Sequence, residues 1–157
     1  MTDERLDLRL ATAADANEVA QLLHDFNTEF DTPSPGPGVL APRLRRLLAG
    51  DVTFAVLAAR PAVAFALVTV RPNVWYDGPV ALLDELYVAP AHRNGGIGSA
   101  VIRFVEAEAR RRRVSSIEIN VDADDLDAQR FYERHGWSGY DDATGERAFF
   151  YAKEFAP

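Results

Sequence analysis

The chain's chemically suggestive residues gather in one turn, Val88-Ala89-Pro90-Ala91-His92-Arg93-Asn94-Gly95-Gly96-Ile97-Gly98-Ser99. An apolar strand ends there, glycines follow, and a long amphipathic helix begins. Glycine lets the backbone approach a ligand closely, and the first N–H groups of a helix point outward as anion donors. That construction suits a pyrophosphate. A Walker A loop would need Gly-Lys-Ser/Thr at its end, whereas Gly98 is followed by Ser99-Ala100. A dinucleotide fingerprint would need a glycine where Val101 stands, close behind the first strand of a parallel sheet. Both readings fail. Other chemistries are thin: Cys 0 leaves no thiol nucleophile or cysteine-type zinc site, and His24, His92 and His135 are too scattered for a metal cluster. No metal is expected.

The elements that must position this turn follow from periodicity. Leu6, Leu8 and Leu10 alternate with polar residues as a first strand. Thr12 and Asp15 open a helix carrying Val19, Leu22, Leu23, Phe26 and Phe30. Thr32 to Gly38 is read as unable to form regular structure, because proline removes donors and glycine adds freedom, and a second helix is expected over about 42–49, closed by Gly50. The runs 54–59 and 62–70 read as a hairpin of buried strands around Arg60-Pro61, and 80–88 as the next strand. A helix over 97–113, a strand over 116–121, a helix over 125–135 and a closing strand pair over 137–140 and 147–155 complete the order. The prediction is an α/β fold, β-α-α-β-β-β-α-β-α-β-β, with a mixed, mostly antiparallel sheet flanked by helices. Length 157 with 48% hydrophobic residues suits one domain over 1–157.

With the elements in place, Arg93-Asn94-Gly95-Gly96-Ile97-Gly98 resembles the Arg/Gln-x-x-Gly-x-Gly/Ala signature of the GNAT superfamily of N-acetyltransferases. The likeness extends over nearly the whole chain. It includes Leu82-Leu83-Asp84-Glu85-Leu86-Tyr87-Val88 and the block from Asp125 through Ala128, Phe131-Tyr132 and Gly136-Trp137, which looks like the family's Asn-x-x-Ala-x-x-Phe-Tyr-x-x-x-Gly-Phe.

The resemblance implies acetyl-CoA as co-substrate and direct attack by an amine in a ternary complex. It implies that Arg93, Asn94, Gly95, Gly96, Ile97, Gly98 and Ser99 hold the pyrophosphate. The backbone of Leu86, Tyr87 and Val88 would hold the acetyl carbonyl and pantetheine arm. Tyr132 stands where the family's tyrosine protonates the departing sulfur. Glu85 is the expected base, directly or through water. Residues 84 and 85 of a regular strand face opposite ways, so the choice between Asp84 and Glu85 depends on whether a bulge intervenes. Asp125 replaces the family's Asn; it can cap its helix and accept from the cofactor amide, but not donate. Glu118 and Asn120 are read as sharing one face of their strand beside the acceptor.

The net charge of −7 weighs against nonspecific nucleic-acid binding and for cationic partners. The resemblance puts the strands of Asp84, Glu85 and Glu118 beside the acetyl group, so the expected acceptor is a small cationic amine, and the stretch from Trp75 to Phe155 is similar to diamine (polyamine) acetyltransferases. Aminoglycoside-type and protein N-terminal acetyltransferases are the alternative enzymes, and a non-catalytic acyl-CoA-binding domain the alternative of another class. No signal peptide or membrane span is read, which predicts a cytoplasmic protein with no membrane partner. A homodimer is left open.

Overall fold

The computed structural model describes residues 5–157. Two compact units are distinguished, one ending at Ile119 and one running from Asn120 to Pro157. Among the described residues no helix is long and apolar enough to cross a membrane.

The first unit is a five-stranded mixed sheet in the order β1-β2-β3-β4-β5, with β1 over Leu8–Leu10, β2 over Thr53–Ala58, β3 over Ala64–Arg71, β4 over Val80–Val88 and β5 over Ser116–Glu118. β1 to β4 pair antiparallel and β5 joins β4 parallel. The apolar runs of β2 and β3 form the buried centre, because both of their faces are covered.

One face carries α1 (Ala16–Glu29) and α2 (Pro37–Ala49). Val19, Leu22 and Leu44 pack there with Ala55, Leu57, Phe65, Leu67 and Tyr87. The other face carries α3 (Ile97–Arg111), whose Val101, Ile102 and Val105 are fully buried. Arg112, just past α3, lies 4.5 Å over the Phe54 ring on that side.

α2 begins at Pro37 rather than at 42. Proline is tolerated at the first helical position, where its missing N–H would have no partner, so the connector is shorter than the Thr32–Gly38 reading. His24 Nδ1 lies 2.8 Å from Ser34 Oγ and the Asn27 amide donates to the Pro33 carbonyl, fastening that connector to α1.

The second unit holds α4 (Leu126–Arg134). The closing strand pair expected at its end is not formed. Tyr140 and Arg147 make an isolated bridge, with Asp141 N–H donating to Glu146 O and Ala148 N–H to Gly139 O. The turn thus starts a hairpin, but its ladder stops at Ala148. Phe149, Phe150, Tyr151 and Phe155 are all exposed, so there is no buried face to lock the alternation into register.

Candidate active site

The Asp84–Glu85 pair sits at a break in the β3–β4 ladder. Leu67 stands opposite Glu85 and Val68 opposite Leu83, which leaves Asp84 as the extra residue of a bulge. Cross-strand partners share a sheet face. Leu67 belongs to the cluster under α1 and α2, so Glu85 looks to that side. Thr69, two residues along β3, shares the face, and its hydroxyl donates to Asp84 Oδ2 at 2.5 Å. The bulge therefore brings both carboxylates to one side. Leu82 pairs with Thr69 and Glu118 with Leu82, which places the exposed Glu118 on the same face.

Electrostatics follow from this crowding. Burial first, and then the Asp84 charge, push the Glu85 carboxyl up to about 7. Asp84 is exposed as a residue, yet its carboxyl is desolvated where it meets Thr69, and this raises its proton affinity. The Thr69 hydrogen bond acts in the opposite direction.

The bulge also shapes β4's outer edge. Pairing with β5 ends at Leu82, just before the bulge bends and twists the strand, so β5 covers three residues and not the six expected. Beyond it, Ala89 N–H donates to Val63 O on the β3 side. Alternation along a strand then turns the N–H of Tyr87 toward β3 and those of Leu86 and Val88 away from it, onto the edge that β5 leaves open. The side chain of Tyr87 is buried in the core.

At the C-terminal end of β4 a single 3₁₀ turn over Pro90–His92 leads into the glycine segment. Asn94 and Gly96 are left-handed, with φ of +62° and +86°, and Gly96 caps α3. The Ala100 N–H→Gly96 O bond opens the helical ladder, and the amides of Ile97 and Gly98 lie ahead of it. A Cβ on Gly95 or Gly96 would meet nothing within 4 Å, so the glycines open onto unfilled space.

Arg93, expected at the pyrophosphate, has a side-chain partner on α1. Its guanidinium forms a fork on Glu29 at 2.6 and 2.7 Å, and its Nε donates to Val88 O at 2.9 Å. Glu29 also accepts from the Tyr87 hydroxyl at 3.2 Å. Sequence reading missed Glu29, although an acid as the last residue of a helix opposes the macrodipole and so hints at a partner elsewhere. It missed Thr69 too, for which the sequence carries no signal.

In the second unit, Asp125 caps α4, its carboxylate accepting from Ala128 N–H at 3.0 Å. Tyr132 is 8% exposed, its ring 5.4 Å from that of Trp137 and 5.2 Å from that of Phe131. Asn120 does not share a strand with Glu118, because β5 ends there; it is exposed and opens the second unit.

Comparison with known proteins places this geometry in context. The model of the acetyltransferase (GNAT) family matches residues 14–137. Aminoglycoside N(6')-acetyltransferase type 1 of Serratia marcescens is 31% identical over 127 residues, 77% of this chain and 84% of that protein. A crystal structure from Arthrobacter sp. FB24, described as a candidate acetyltransferase, superposes with a TM-score of 0.91 at 46% identity, covering 99% of each chain. At 18% identity and a TM-score of 0.76, AAC(6')-Iy in complex with a CoA–acetylneamine bisubstrate analogue shares the fold, over 97% of this chain and 100% of that one.

Proposed function

The chain belongs to the GNAT acetyltransferase family and is an N-acetyltransferase, and from that premise we propose that its acceptor is a primary amine on a small polycationic molecule of the aminoglycoside or polyamine kind. The observation that carries the acceptor class is the shared sheet face of Asp84, Glu85 and Glu118. Carboxylates gathered there attract ammonium groups, and one of them is tuned to accept a proton near neutral pH.

GNAT enzymes use acetyl-CoA as co-substrate, which supplies the acetyl group as a thioester. The residues fit it. Gly95 and Gly96 open onto unfilled space, and the amides of Ile97 and Gly98 face outward ahead of the α3 ladder, which suits a pyrophosphate. The N–H groups of Leu86 and Val88, on the open edge of β4, suit the acetyl carbonyl and the pantetheine amides. Asp125 caps α4 through one carboxylate oxygen, which leaves the other able to accept from the cofactor amide.

Glu85 takes the proton of the attacking amine. The new bond is amine nitrogen to acetyl carbon, and the bond broken is carbon to sulfur. Tyr132 returns a proton to the sulfur, a role that rests on its place in the Ala128-Gln129-Arg130-Phe131-Tyr132 motif. No covalent enzyme intermediate is needed.

The test is release of free thiol from acetyl-CoA with three acceptors: an aminoglycoside bearing a 6'-amine, spermidine, and a peptide with an uncharged N-terminal side chain. The cationic acceptors are expected to lead. A leading peptide would replace this reading with a protein N-terminal acetyltransferase.

A further inference from the structure

The junction of Glu29, Tyr87 and Arg93 joins the C-terminal end of α1, the C-terminal end of β4 and the start of the glycine segment. Glu29 receives both arms of the Arg93 fork as well as the Tyr87 hydroxyl. Arg93 spends its remaining Nε on Val88 O, and its guanidinium carbon lies 5.6 Å from the centre of the Tyr87 ring. Tyr87 is itself clamped by Phe26 of α1, at 5.0 Å between ring centres. The pair lies at the surface, with side-chain exposures of 35% for Arg93 and 26% for Glu29, and its bidentate geometry holds the two groups together. The ion pair holds Glu29 below the usual carboxylate range, so it stays ionised throughout the neutral range.

Arg93 is thus neutralised by a partner that grips its planar fork from the side of α1. An arginine serving a pyrophosphate would need that fork turned to the ligand. Here it is spent on fixing the backbone from Val88 to Arg93, whose C-terminal neighbours Asn94 and Gly96 adopt the left-handed conformations that aim the α3 amides.

We propose that Glu29 is a positioning residue for the coenzyme: acting through Arg93, it braces the glycine segment so that its backbone amides, and not the Arg93 side chain, bind the pyrophosphate. This rests on the assignment of that segment to acetyl-CoA. It has a sign that simple electrostatics does not share. Removing a carboxylate close to an anion site should tighten anion binding if Arg93 is thereby freed for the phosphate. Removing a brace should weaken it.

The experiment measures calorimetric binding of free coenzyme A to the full chain and to Glu29→Gln, Arg93→Gln and the double variant. Amide hydrogen exchange over 93–98 is followed in the unliganded proteins. Each single variant is expected to weaken binding about tenfold, the order of one lost charge-assisted contact, and the double variant no further than the weaker single one. Exchange over 93–98 should quicken while that of Val101 to Val105 stays unchanged, a local response that general destabilisation would not give. The KM for acetyl-CoA should rise more than that for the amine.

Glu29→Gln that binds coenzyme A as well as wild type overturns the proposal, and tighter binding overturns it in favour of Arg93 as a direct phosphate ligand. Unchanged exchange over 93–98 also overturns it. A wild-type chain that binds no coenzyme A overturns the cofactor assignment instead, and quickened exchange in Glu29→Gln would then show a brace serving another ligand.

Discussion

Glu85 carries a measurable signature in both rate and stability. Its carboxyl titrates at about 7 in the folded chain, against an ordinary value of 4.5. Between these values the folded protein keeps a proton that the unfolded chain has lost, so stability falls as pH rises from about 4.5 through about 7 and levels off above. Thermal melts should therefore show Glu85→Gln gaining on wild type across that window. An equal difference at pH 4 and pH 8 would speak against a raised pKa. In the wild type kcat/KM should climb with an apparent pKa near 7 as the base ionises, and Glu85→Gln should lose that limb along with most of its activity. Tyr132→Phe separates catalysis from packing in the same way. Loss of a general acid lowers turnover by about 10²–10⁴-fold while coenzyme A affinity holds; wild-type turnover would leave Tyr132 as a buried ring beside Trp137.

The start of α3 and the bulge of β4 set the site's shape, and each can be probed alone. Gly95 and Gly96 both open onto empty space, but only Gly96 has a positive φ. A β-branched residue at Gly96 strains the backbone by roughly 1–2 kcal/mol, so a binding loss there mixes strain with obstruction. Gly95→Val should obstruct the approach of the pyrophosphate and leave the melting temperature near wild type. Unaltered coenzyme A affinity in that variant would remove the glycine segment from the site. At the bulge, Asp84→Asn deletes the charge that helps lift Glu85. The acid limb of the rate profile should move to lower pH, and a limb that stays in place would mean desolvation alone tunes the base.

The whole molecule enters through charge. At a net −7, with Asp84, Glu85 and Glu118 on one face, attraction of a polycationic acceptor should be screened by salt. The Debye length falls from about 10 Å at 0.1 M to about 3 Å at 1 M. The KM for the amine should accordingly rise with ionic strength while kcat changes less. A salt-independent KM with a neutral acceptor preferred would assign these acids to solubility.

What the chain alone determined was local. Continuous apolar runs placed β2 and β3, the strand reading of 80–88 placed β4, a period of 3.6 placed α1 and α3, and the glycines of 95, 96 and 98 marked the strand-to-helix turn, because each of these signals is written in neighbouring residues. The same locality explains the failures. Pro37 was read as a breaker although it begins α2, since proline's meaning depends on which side of it the helix lies. The pattern over 147–155 resembles a strand, yet nothing in the described residues pairs with it past Ala148. Tertiary structure decided the rest. Whether Asp84 or Glu85 faces the α1 side was undecidable from alternation, because one unpaired residue against β3 resets the register and brings both there. That Arg93 meets Glu29, 64 residues away in sequence, was equally invisible in the local pattern. A side chain's type limits what it can bind, but which partner it meets depends on pairings between distant segments, and those form only when the chain folds.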